Sequence, residues 1–63
     1  MNAAQRYWVV VERFDGNGNQ LRDMKASFTD PVRARNSYDD MKQMFYHNKR
    51  AYVIMYKEED NNE

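Results

Sequence analysis

The stretch RYWVVVERFDGNGNQLRDMKASF, residues 6–28, decides the fold. At its centre lies Asp15-Gly16-Asn17-Gly18-Asn19, the strongest turn signal in the chain. Asn and Gly tolerate the positive φ angles that a tight hairpin demands. Before the turn, Arg6 to Phe14 reads as a strand, because Val9, Val10 and Val11 are β-branched and Tyr7, Trp8 and Phe14 are aromatic. A two-residue turn at Asn17-Gly18 places Val11 opposite Met24, Val9 opposite Ala26 and Tyr7 opposite Phe28. All three pairs are apolar and share one face, so burial fixes the register. The same register sets Arg13 against Arg22 and Glu12 against Asp23, like charges that count against it. A wider loop would pair Trp8 with Phe28 and Val10 with Ala26 instead; the first register buries the better face.

Working outward, Thr29-Asp30-Pro31 opens a helix. Asp30 can accept free amide hydrogens of the first turn, and Pro31 sits where a missing N–H does no harm. Ala34, Tyr38, Met41 and Phe45 recur at helical spacing and form one narrow stripe. Arg35 and Asp39 are spaced for an ion pair one turn apart. His47, Asn48, Lys49 and Arg50 are expected to close the helix, with Asn48 in a left-handed cap. Ala51 to Lys57 forms the last strand, Val53 and Met55 alternating with Tyr52, Ile54 and Tyr56.

The expected architecture is a small α+β domain, ββαβ. Its antiparallel sheet has three strands in the order second, first, third, and the helix packs on one face. The central place of the first strand accounts for its two apolar faces. The covered face would hold Tyr7, Val9, Val11, Met24, Ala26, Phe28, Val53 and Met55.

A chain of 63 residues is a single domain, with an ordered core expected over residues 6–57 and a frayed acidic tail over 58–63. So short a chain hides only about 60% of the surface its unfolded form exposes. With no cysteine, neither a disulfide framework nor a thiolate metal site compensates. No secretory signal and no apolar run near the ~20 residues of a membrane span is present, so a cytoplasmic location is expected.

One helix covers one side of three strands. The other side would present Trp8, Val10, Phe14, Leu21, Tyr52, Ile54 and Tyr56, an apolar and aromatic surface of the kind that marks contact sites. These residues are the expected protein interface, with Trp8, Tyr52 and Tyr56 as anchors. A second copy of the chain could cover the same surface and make a homodimer.

Sites for chemistry are wanting. Asp15, Asn17, Asn19, Leu21 and Asp23 follow the spacing of a calcium loop, but Gln20 stands where glycine is needed and Ala26 where a bidentate glutamate is needed. His47 has no nucleophile or carboxylate placed against it, and Asp39-Asp40 reads as a solvated helix face. No catalytic residue, cofactor or metal is therefore assigned. Ten basic and ten acidic residues give no net charge, yet charge is unevenly spread. Between residues 31 and 50, Arg33, Arg35, Lys42, Lys49 and Arg50 outnumber Asp39 and Asp40; beyond residue 50, Lys57 stands against Glu58, Glu59, Asp60 and Glu63. The five basic residues beside an aromatic sheet define an alternative, a small nucleic-acid-binding protein. The favoured expectation is a non-enzymatic interaction module that docks on a larger host protein or complex and inhibits or modulates it. In size and style it is similar to the accessory and inhibitor proteins of bacteriophages and mobile elements.

Overall fold

A computed structural model of the chain describes residues 5–58. It contains β1 (Arg6–Arg13), β2 (Met24–Phe28), α1 (Pro31–Met44) and β3 (Ala51–Glu58). The sheet order is β2-β1-β3, with both pairings antiparallel. This is the small α+β, ββαβ domain expected from the sequence. Tyr7 lies opposite Phe28, Val9 opposite Ala26 and Val11 opposite Met24, the register that apolar pairing selects.

The turn differs in detail from the expected two-residue Asn17-Gly18 connection. Gly18 N donates to Asp15 O at 3.1 Å and Asp15 N donates to Asn19 O at 2.9 Å, closing a loop of Gly16, Asn17 and Gly18. Gly18 takes φ 85°, which glycine adopts without strain. Phe14 then bridges Gln20. Between that bridge and the Val11–Met24 pair, Leu21, Arg22 and Asp23 face only Glu12 and Arg13, so the second arm carries one extra residue. This bulge takes Arg22 and Asp23 out of ladder opposition to their like charges. Arg13 Nη2 donates instead to Arg22 O at 3.0 Å, and Gln20 Nε2 donates to Asp23 Oδ1 at 2.7 Å.

Helix α1 starts where the sequence places it. Asp30 caps it, its Oδ1 accepting from Val32 N at 3.0 Å, and Pro31 occupies the first turn. Arg35 Nε lies 3.2 Å from Asp39 Oδ1, the expected pair one turn apart. The C-terminal end is a correction. The helix stops at Met44, His47 lies beyond it, and no described residue other than glycine has positive φ, so Asn48 does not take a left-handed cap. Asn48 turns the chain with its side chain, Oδ1 accepting from Arg50 N at 2.9 Å, while its carbonyl accepts from Ala51 N at 3.2 Å.

The connection β2–α1–β3 joins two parallel strands that flank β1, and the right-handed path lays the helix over the face of Tyr7, Val9 and Val11. Burial agrees: Val11 is 1% exposed, Val9 3% and Ala34 0%, and Tyr7, Phe28 and Val53 are half-buried. The outer parts of this face stay open. Met24, Ala26 and Met55, expected in the core, are exposed, because one narrow helix stripe does not reach both sheet margins. Strand β3 runs through Glu58, one residue into the expected tail, and the remainder of that tail lies outside the described residues.

Candidate interaction site

The face away from the helix follows from register alone. Residues directly opposite in a ladder share a face. Trp8 is opposite Ser27 on one side and Tyr56 on the other, Val10 opposite Lys25 and Ile54, and Glu12 opposite Tyr52. Trp8, Val10, Tyr52, Ile54 and Tyr56 are thus brought together, and the Phe14 ring joins them, 5.9 Å from that of Tyr52 and edge-on at 77°.

Their exposures differ. Tyr52 is 55% exposed, Tyr56 46% and Ile54 39%, while Trp8 and Phe14 are half-buried. Val10, expected to be a contact residue, is only 5% exposed: the central position on the central strand is closed in by larger neighbours, and it supports the surface rather than presenting it. Leu21 is exposed but lies in the bulged arm; Gln20 takes the place opposite Phe14 that Leu21 was expected to fill.

Charged residues were expected at the rim of this face, but the sequence did not say which. Trp8 Nε1 donates to Glu58 Oε1 at 2.6 Å, and Lys25 Nζ lies 5.7 Å from the centroid of the Trp8 ring. Arg6 Nη1 donates to Ser27 Oγ at 3.2 Å. Glu58 is the diagonal neighbour of Trp8 in the β1–β3 register, so the signal was present once that register was known. The indole is therefore held by one charge at its edge and another over its ring, and part of it stays open.

The basic residues do not converge. Arg33 lies 3.9 Å from Asp30 and Arg35 is paired with Asp39. Lys42 Nζ lies 5.4 Å from the Tyr38 ring centroid. Two residues along a helix are about 200° apart, which puts Arg33 and Arg35 on opposite sides, and the 14-residue helix separates Arg33 from Lys49 and Arg50 by roughly 20 Å. Lys49 and Arg50 flank a shallow cleft with Phe14, Asp15, Gly16 and Tyr52.

Among the described residues, no group of three His, Cys, Asp or Glu side chains could hold a metal ion. Asp15 Oδ1 is used by the loop, accepting from the amides of Asn17 and Asn19 at 2.9 Å each. These amides, Asn19 first, hold the carboxyl below its ordinary value of 3.8, with a smaller contribution from the charge of Arg50. His47 is exposed and meets the ring of Tyr46 edge-on at 4.9 Å. Among the described residues, no helix is long and apolar enough to cross a membrane. No protein-family model, no curated protein and no solved structure matches this chain.

Proposed function

We propose that this chain is a non-enzymatic interaction module that docks its aromatic sheet face on a larger protein inside the cell and inhibits or modulates it. The observation that carries this reading is the face itself. Tyr52, Ile54 and Tyr56 stand well exposed in one row beside a half-buried Trp8, on the side of the sheet away from α1. Rigid aromatic side chains on strands give large contact area at little entropy cost, and such residues dominate binding energy in protein interfaces. Lys25, Glu58 and Arg6 at the margin supply charges that select a partner.

Capture from cell lysate tests the reading. The wild-type chain should retain one protein at stoichiometric level. Tyr56→Ala and Trp8→Ala should lose it, while Val32→Ala and Tyr46→Ala, exposed positions away from this face, should keep it. Loss in all four variants, or in none, refutes the face as the docking surface. Oligonucleotide binding at low salt that weakens steeply with added salt, and is abolished at Arg33 and Arg35 rather than at Tyr56, would replace this reading by the nucleic-acid one.

A further inference from the structure

The sheet has two edges, and they differ. Alternate residues of an antiparallel strand turn their backbone N–H and C=O groups to opposite sides. Leu21 N donates to Arg13 O, so Met24, Ala26 and Phe28 bond inward to β1, and Lys25 and Ser27 face outward on β2. That edge is five residues long, bulged at one end and carries an outward lysine, all devices that discourage pairing. On the other side, Phe14 N donates to Arg50 O, so Tyr52, Ile54 and Tyr56 bond inward to β1. Ala51, Val53, Met55 and Lys57 then turn outward along an eight-residue edge whose only charges lie at Lys57 and Glu58.

We propose that β3 pairs antiparallel with β3 of a second copy of the chain, Ile54 opposite Ile54 across a two-fold axis. In this register Tyr52 meets Tyr56, Val53 meets Met55 with both outward bonds free, and Lys57 N can donate to Ala51 O of the second copy, the Ala51 amide itself being engaged by Asn48 O at 3.2 Å. Just beyond, Arg50 falls opposite Glu58 at both ends, a complementary pair repeated by symmetry. Glu58 has one carboxylate oxygen on Trp8 and the other to offer. Sliding the register to centre on Met55 sets Glu58 against Tyr52 in place of Arg50. Sliding it to centre on Val53 sets Lys57 against Lys49, like charges directly opposed. The two-fold runs perpendicular to the sheet, so the two aromatic faces lie side by side on one six-stranded platform. The inference concerns the edge of β3 and is independent of whether the face docks on another protein.

Light scattering with cysteine cross-linking tests it. The wild-type chain should show twice its 7.7 kDa mass at hundreds of micromolar. The chain lacks cysteine, so single substitutions report cleanly. Opposed Ile54 positions form a non-hydrogen-bonded pair, with Cα atoms about 4.5 Å apart, within disulfide reach. Ile54→Cys should therefore cross-link on mild oxidation far faster than Val53→Cys or Met55→Cys, each keeping a native circular dichroism spectrum when reduced. Glu58→Arg should weaken the dimer, and Arg50→Glu in the same chain should restore it. A monomeric wild type overturns the inference, as does preferential cross-linking at Val53 or Met55 or a failed charge swap. A monomer that still captures a partner leaves the docking face standing; a dimer that captures nothing leaves the edge standing.

Discussion

Replacing Trp8 by alanine separates a one-sided sheet from a sealed one. A tryptophan enclosed in a core costs about 3–5 kcal/mol when cut to alanine. Trp8 is half-buried, on the face the helix leaves open, so the packing loss scales to roughly 2 kcal/mol. The bond from Nε1 to Glu58 Oε1 at 2.6 Å and the Lys25 ammonium over the ring are both solvent-exposed. Together they add up to about 1 kcal/mol, since Glu58 and Lys25 regain water in the variant. The expected cost is about 2–3 kcal/mol. A domain of 63 residues has a total stability of about 3–9 kcal/mol. Anywhere above the bottom of that range the variant stays folded but melts earlier. In urea, with a slope near 1 kcal/mol/M for so small a chain, the midpoint should fall by roughly 2–3 M with the slope unchanged. Circular dichroism is the signal of choice, because the substitution removes the only tryptophan. Trp8→Phe, which keeps most of the ring area and loses the N–H donor, should cost under about 1 kcal/mol. A loss beyond about 4 kcal/mol, set against the wild-type stability measured in the same melts, would place the indole in a core and refute the one-sided reading.

Three further outcomes follow from local geometry. Asp30→Ala removes the cap that holds Val32 N and should cost about 1 kcal/mol, read as a lowered urea midpoint. Gly18→Ala should cost roughly 1–2 kcal/mol purely through its φ of 85°, since open space awaits the added methyl, whereas Gly16→Ala, with ordinary φ and Arg50 Nη2 at 3.9 Å, should be neutral or slightly stabilising in the same melts. The Asp15 carboxyl is held below its unfolded value by the Asn19 and Asn17 amides, so its contribution is complete above the unfolded value and fades as pH falls through the lower folded one; Asp15→Ala should flatten the acid limb of stability below about pH 4, and an unchanged limb would refute the role of those amides.

The main ladder was legible because three apolar pairs, Tyr7–Phe28, Val9–Ala26 and Val11–Met24, all vanish if the register slips by one. The helix start was equally plain, since Asp30-Pro31 carries its own chemistry. The turn was read one residue too tight. Asn17-Gly18 is a strong two-residue signal, but Asp15 reaches both following amides with its side chain and favours the three-residue loop, and the bulge at Leu21–Asp23 absorbs the difference. The conflict between Arg13 and Arg22 counted against the simple register, and the bulge is what relieves it. Asn48 was misread because side-chain acceptance from Arg50 N turns the chain without positive φ, and sequence does not distinguish these two uses of asparagine. On the candidate face, alternation placed Tyr52, Ile54 and Tyr56 together, but the burial of Val10 and the clamp of Glu58 and Lys25 on Trp8 depend on neighbours from all three strands at once.

The open face and the thin core are two sides of one constraint. Among the described residues, the buried hydrophobic ones are Val9, Val10, Val11 and Ala34, three of them consecutive on one strand. A chain that needed the aromatic residues of β3 for its own stability would turn Tyr52 and Tyr56 under the helix and leave the small Val53 and Ala51 outside. A shift of one residue in the β1–β3 register would do this, and the alternation of β3 would accommodate it. The observed register does the reverse: it gives the helix side Ala51, Val53 and Met55 of β3 and gives Tyr52 and Tyr56 to the other side. Stability that the chain forgoes in this way is recovered whenever something binds that side or lengthens the sheet, because a ligand of the folded state alone stabilises it by mass action, by about 2.7 kcal/mol at a hundredfold excess over Kd. That gain is comparable to the expected cost of losing Trp8 altogether. Binding at that face or pairing at that edge would thus enter the folding balance of this chain directly.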